Sequence, residues 1–250
     1  MKPYADHFSR VAPSYATCRP GYPDEVFAYL ASLVDRRQLA WDCAAGSGQA
    51  TLGLVNHFNQ VVATDLSRSM LDQAPAHPRV EYRVAPAHAS GLGAATVDLV
   101  TVAQALHWLD TGAFYAEAER VLVPGGILAV WTYGAQQLDE PALERELARF
   151  YSQVVGPCWP PERRLVESGY RTIPFPFPDL QPPAFTMEHY WTLPQLLGYV
   201  RTWSATHRFR EQVGYDPLDR LKDDIAAHWG DPSAPRRVRW PLSFRVGRRS

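Results

Sequence analysis

The apolar positions of the chain switch repeatedly between two spacings. Val26, Phe27, Leu30, Leu33 and Val34 recur every three or four residues after Pro23-Asp24-Glu25, a first turn of proline and acids, and predict a helix reaching Arg37. Residues 39–45 form a short, mostly apolar run that closes on Gly46-Ser47-Gly48, and Ala50, Leu52, Leu54 and Val55 return to helical spacing. Residues 61–65 read as a strand ending in an acid, Ser67 as an N-cap, and Met70, Leu71 and Ala74 as the following helix. A third strand, residues 80–84, alternates with a period of two, and residues 97–102 form a fourth. Leu106, Phe114, Ala118 and Leu122 then mark a helical stretch, and Pro124-Gly125-Gly126 turns into a fifth, apolar strand over residues 127–132. Five strands interleaved with helices predict an α/β fold whose parallel sheet is covered on both faces.

After Tyr133 the pattern changes. A helix is expected over residues 141–154, then a loop dense in proline from Pro157 to Pro183 that cannot build a sheet interior. A strand at residues 184–191 and helices at 194–203 and 216–229 follow. The alternating residues 238–246 predict a last strand, edge or antiparallel, because Pro241 has no N–H for a ladder.

Composition narrows the function classes. The chain has 250 residues, 46% of them hydrophobic and 20% charged, which suits a folded domain with a large core. Lys and Arg number 25 against 26 Asp and Glu, so no global field recruits nucleic acid or an anionic membrane. The basic residues near the end, Arg236, Arg237, Arg239, Arg248 and Arg249, read as a solvated strand. No run approaches the ~18 apolar residues of a membrane span. The first residues lack the apolar stretch of a signal peptide, so a cytoplasmic location is expected. Cys18, Cys43 and Cys158 are too few and too widely spaced for a disulfide framework, and the eight histidines form no HExxH pair, so no metal site is expected.

The chemistry concentrates at the first two strand ends. A glycine turn between strand and helix lets a ligand approach backbone N–H groups, because glycine has no Cβ in the way. Asp65, at the end of the second strand and 17 residues after Gly48, is placed to accept both hydroxyls of a ribose. Together they imply an adenosine-type cofactor. A dinucleotide fold wants a third small residue in the turn, where this chain has Thr51, and its pyrophosphate would be repelled by Asp42 at the head of the turn. An acid there suits a sulfonium instead, which points to S-adenosylmethionine.

These residues resemble class I S-adenosylmethionine-dependent methyltransferases of the type 11 group, which includes trans-aconitate methyltransferase-like proteins, over about residues 4–133. The acid-x-Gly-x-Gly-x-Gly motif of that group falls on Asp42-Cys43-Ala44-Ala45-Gly46-Ser47-Gly48, with Ala44 replacing the first glycine. Asp65-Leu66-Ser67 and Met70 match the second-strand acid and the apolar residues that flank adenine in relatives. Ala87-His88 stands where relatives carry Ala-Glu beside the adenine edge. Gln104-Ala105-Leu106-His107-Trp108 matches Gln-Ala-x-His-Trp after the fourth strand, and Arg120-Val121-Leu122-x-Pro124-Gly125-Gly126 the turn before the fifth. Tyr15-x-x-x-Arg19-Pro20-x-Tyr22-Pro23 is similar to the segment that caps the cofactor, and implies that Arg19 pairs with its methionine carboxylate.

The resemblance implies a doubly wound, seven-stranded, mostly parallel sheet with an antiparallel last strand. We read one methyltransferase domain over 1–250: a cap (1–22), a cofactor core (23–133), a helical and proline-rich insert (134–183), and carboxy-terminal strands and helices over the substrate site (184–250). The expected reaction is methylation of a small molecule on a carboxylate or hydroxyl oxygen, by a monomer or homodimer that binds neither nucleic acid nor membrane. His107 is the candidate base or a pocket wall. Tyr199, Trp203 and His207, spaced i, i+4, are candidate substrate contacts, and Arg163, Arg164, Arg171, Arg201, His207, Arg208 and Arg210 could supply a cationic clamp for a carboxylate. Two alternatives stand beside this reading: a nicotinamide-dependent oxidoreductase on the same sheet, and a cofactor-binding module without turnover, which Ala44 and His88 would permit.

Overall fold

The alternation seen in the sequence builds a sheet buried on both sides. The computed structural model describes residues 19–250, so Tyr15 and Cys18 lie outside the described residues. Strands β1 (Leu39–Cys43), β2 (Gln60–Asp65), β3 (Val80–Val84), β4 (Val97–Ala103) and β5 (Leu122–Tyr133) pair in parallel in the order β3-β2-β1-β4-β5. Successive residues of each strand serve opposite faces. Ala40, Val61, Leu99 and Ala129 join one core with α1 (Asp24–Ser32) and α2 (Gln49–Leu54). Trp41, Val62, Val100 and Val130 join the other with Phe114, Ala118 and Val121 of α4 (Thr111–Val121). A one-turn helix, α3 (Arg68–Leu71), links β2 to β3, with the Ser67 hydroxyl accepting from the Met70 N–H. Asp110 caps α4 in the same way, accepting from the Ala113 N–H.

The carboxy-terminal half adds β6 (Gln137–Leu138), α5 (Pro141–Arg149), α6 (Arg163–Glu167), β7 (Asp179–Leu180), β8 (Thr186–Trp191), α7 (Leu193–Arg201), α8 (Ser204–Val213), α9 (Leu218–Trp229) and β9 (Arg236–Arg248). Helices α5 and α7 to α9 bury a third core against Met187, Val238 and Trp240. Among the described residues, no helix is long and apolar enough to cross a membrane.

Several expectations change in detail. The sheet has nine strands, because β7 and β8 both pair with β9 and β6 extends its far side. Strand β9 is antiparallel but interior: it lies against β5 from Leu242 to Arg248 and against β8 from Arg236 to Pro241. Pro241 is tolerated because the Leu242 N–H donates to the Phe185 carbonyl, which turns the ring nitrogen of Pro241 to the opposite side, just where β5 has ended. The proline-rich segment holds the short helix α6 and gives the sheet only the two-residue β7 beside β9, as its composition requires. The helix expected to reach Arg37 stops at Ser32, and the one expected over 141–154 ends at Arg149 and continues as one wide turn, with the Val155 N–H donating to the Phe150 carbonyl.

Candidate active site

Strand order reverses between β1 and β4, and the crevice outside the carboxyl ends of a parallel sheet at such a point is where ligands bind. A cleft of about 790 Å³ opens there. One side is nearly bare of side chains, formed by Ala44, Ala45, Gly46 and Ala50, while Leu66, Met70 and Ala87 make an apolar end. Asp65 stands between them. Its two carboxylate oxygens accept from the Gly46 N–H at 2.9 Å and the Ser67 N–H at 2.8 Å, which fixes the group at the lip of the cleft and ties the glycine turn to β2.

The turn itself is held in the left-handed region, with φ of 56° at Ala44, 56° at Gly46 and 83° at Gly48. Ala44 therefore costs backbone strain at a position where glycine would be free. Gly46 lines the cleft: a Cβ there would lie 3.3 Å from the Met70 methyl. Gly48 instead faces the protein, where a Cβ would meet Ala74 and the Tyr82 hydroxyl at 3.2 Å, so its job is packing.

Asp42 is also set back from the cleft. Fully buried, it accepts from the Thr51 hydroxyl at 2.6 Å and the Thr101 hydroxyl at 2.9 Å. Burial pushes its carboxyl up to about 6, against the two threonine bonds, with the Asp65 charge adding to the rise. Thr51, the residue that spoils a dinucleotide motif, is thus the partner of the acid at the head of the turn.

At the other end of the cleft, Gln104 sits at φ 56° and bridges the ends of β4 and β5: its Oε1 accepts from the Tyr133 N–H and the Thr132 hydroxyl, and its Nε2 donates to the Tyr133 carbonyl. His107, buried beside it, has Nδ1 2.7 Å from the Tyr170 hydroxyl and its ring 4.6 Å from that of Trp108. Burial, with the Arg163 charge in second place, pushes the imidazole down to about 3, so it is neutral at physiological pH. Tyr170 is fully buried at φ 60°, a conformation a bulky residue adopts only under strain.

Arg19, Gln104, His107, Trp108 and Tyr133 also line a second, smaller pocket of about 50 Å³, closed by Trp159, Arg163, Tyr199 and Trp203. Arg19 donates to the Tyr133 hydroxyl and the Thr202 carbonyl and lies over the Tyr199 ring. Of the expected residues, Ala44, Gly46, Asp65, Leu66, Met70, Ala87, His88, Gln104, His107, Trp108 and Arg19 line the large cleft. Tyr199 and Trp203 line the small pocket.

His207 lines neither. The expected helical series is broken after Tyr199, because Thr202 and Thr206 hydroxyls donate to the Tyr199 and Val200 carbonyls and Trp203 turns extended at ψ 137° before α8 begins. Tyr133, Trp159 and Tyr170 were not singled out by the sequence. Aromatic residues in the carboxy-terminal half read equally as core, and only tertiary packing separates the two roles.

Residues 41–130 match the model of a methyltransferase domain family. An uncharacterised methyltransferase of Mycobacterium tuberculosis is 33% identical over 88% of this chain and 86% of its own length. A Dictyostelium discoideum protein assigned as a methyltransferase is 31% identical over 89% of this chain and 86% of its own. The solved structure of a protein assigned as a type II methyltransferase from Anaeromyxobacter dehalogenans superposes with a TM-score of 0.86 at 45% identity, covering 92% of this chain and 97% of that one. With the β3-β2-β1-β4-β5 order, the glycine turn and the strand-end acid already in place, these similarities make the chain a member of the class I S-adenosylmethionine-dependent methyltransferases.

Proposed function

We propose that the protein methylates a carboxylate or hydroxyl oxygen of a small molecule, with the cofactor in the large cleft and the acceptor approaching from the side of Trp108, Tyr133 and the small pocket. The observation that carries this reading is the continuity of the two cavities through Arg19, Gln104, His107, Trp108 and Tyr133. When bound, S-adenosylmethionine would supply an electrophilic methyl group with a neutral thioether as its leaving group; a carboxylate acceptor has no proton to lose, whereas a hydroxyl acceptor would release one to solvent.

The residues fit that cofactor. The bare wall at Gly46 and Ala44 admits close approach, Asp65 is fixed to receive a diol, and Leu66, Met70 and Ala87 offer an apolar surface to a base. Arg19, at the junction of the cavities, supplies the cation for an amino-acid carboxylate. The chain's own part in the reaction is alignment and exclusion of water. Gln104 fixes the ends of β4 and β5 against one another, and Trp108 and Tyr133 wall the passage. A buried imidazole pushed down to about 3 is a weak base, so His107 acts as a neutral wall and hydrogen-bonding group. A single domain of cap, core, insert and carboxy-terminal cover accords with a small pocket whose lining comes from both halves of the chain.

Calorimetric titration with S-adenosylhomocysteine, alongside NADH and NADPH, tests the cofactor site, and transfer of a labelled methyl group to a panel of small carboxylic acids and phenols tests turnover. Saturable binding of S-adenosylhomocysteine alone, with label in an acid or phenol, is the expected result. Binding without transfer to any acceptor would favour a module that keeps the pocket and has lost turnover.

A further inference from the structure

The small pocket has more chemistry than a cofactor cleft requires. Its volume of about 50 Å³ has room for a group of a few heavy atoms and no more. Its outer wall carries Arg163, and this side chain is held in place without being neutralised. The guanidinium lies 4.5 Å from the Trp159 ring centroid and 5.2 Å from that of Tyr151, and its Nε donates to the Tyr151 hydroxyl at 2.6 Å. That hydroxyl in turn donates to Glu167 at 2.5 Å, which fixes its orientation.

Glu162 and Glu167 are close in sequence, yet among the described residues no carboxylate lies within ion-pair distance of Arg163 and neither of its terminal nitrogens meets an acceptor. Arg19 also lines this pocket, but it donates to the Tyr133 hydroxyl and the Thr202 carbonyl, and the other cations named from the sequence are placed differently. Arg201 and Arg210 face Asp216, Arg164 and Arg171 are exposed outside the pocket, and Arg208 lies on the large cleft.

We propose that this pocket is the anion subsite for the methyl acceptor, and that Arg163, between the walls of Trp159 and Trp203, holds there the carboxylate of a small organic acid whose body extends along Trp108 towards the large cleft. The inference rests on the methyltransferase reading above and chooses among its acceptors. A planar guanidinium fixed by stacking presents its two terminal N–H groups as a fork for a carboxylate, which a hydroxyl or amide cannot match. The aromatic walls exclude water from that pair. An ionised carboxylate also needs no proton removed before methylation, which agrees with the absence of a competent base at His107; a phenol or alcohol would need one.

The test is calorimetry on the complex with S-adenosylhomocysteine, using cinnamate against cinnamamide and crotonate against crotonamide, in the wild type and in Arg163→Gln and Arg163→Lys. Each acid is expected to bind at least ~10-fold tighter than its amide. Arg163→Gln should abolish that preference and Arg163→Lys restore part of it, both with unchanged affinity for S-adenosylhomocysteine. Equal binding of acid and amide, no binding of either acid, or a preference that survives Arg163→Gln would overturn the assignment. Failure of the wild type to bind S-adenosylhomocysteine would instead overturn the methyltransferase reading on which it rests.

Discussion

Two acids at adjacent strand ends have opposite jobs. Asp65 is held at the lip of the cleft by two backbone N–H groups, one of them from the glycine turn, so it both receives the ligand and shapes the loop. Asp65→Ala is expected to weaken S-adenosylhomocysteine binding by about 2 kcal/mol or more, roughly 30-fold, measured by calorimetry. Asp42 is buried behind the turn with a carboxyl pushed up to about 6. An unfolded aspartate titrates near 3.9, so below that value both states are protonated and Asp42 costs nothing. Between about pH 4 and 6 the unfolded state ionises first, and stability falls as pH rises, by roughly 3 kcal/mol at about 1.4 kcal/mol per pH unit. Asp42→Asn removes this titration. The stability advantage of the wild type over Asp42→Asn, measured by denaturant unfolding, should therefore shrink on going from pH 4 to pH 7, and a gap independent of pH would contradict the buried ionisation.

At the scale of elements, the glycine turn is positioned by the packing of the helix that follows it on α1. Gly53 of α2 faces the buried ring of Phe27, and a Cβ there would stand 1.9 Å from a ring carbon. Gly53→Ala gains helix propensity worth about 1 kcal/mol, but the overpacking costs about 1–3 kcal/mol and the contact is severe enough to favour the upper end. We expect a net loss of about 2 kcal/mol, seen as a melting temperature lower by roughly 4–8 °C. The break between α7 and α8 is equally local. Two threonine hydroxyls close the end of α7, and the extended Trp203 then turns its ring into the pocket beside Tyr199, a placement that a continuous helix would have shared with His207.

At the scale of the molecule, the sheet core and the carboxy-terminal helical core meet at the cleft, and a ligand bound there touches both. Binding to the folded state alone adds about 2.7 kcal/mol at a ligand concentration 100 times Kd. Saturating S-adenosylhomocysteine should accordingly raise the melting temperature by roughly 5–10 °C in a thermal scan, while NADH at the same concentration leaves it unchanged. The same geometry makes a prediction for the buried thiol of Cys43. Burial, assisted by the charges of Asp42 and Asp65, raises it well above the ordinary range, so alkylating reagents should leave Cys43 unmodified in the native protein and label it after unfolding, as peptide mapping would show.

Much of this was legible in the chain. The five parallel strands, the glycine turn and Asp65 follow from patterns that local sterics impose: short continuous apolar runs for a sheet covered on both sides, glycine where φ must be positive, an acid at a strand end. Ser67 likewise shows its helix start in sequence because a cap is satisfied within a few residues. Tertiary structure alone decided which side of the turn each acid faces, since burial of Asp42 depends on Thr101, 59 residues away, as well as on Thr51. It also decided that β9 lies inside the sheet despite Pro241, because the missing N–H falls where a neighbouring strand has ended. The selection of Arg163, Trp159 and Trp203 from a half rich in arginine and aromatic residues belongs to the same kind: their roles depend on side chains that meet across the fold, and spacing along the chain carries no record of such meetings.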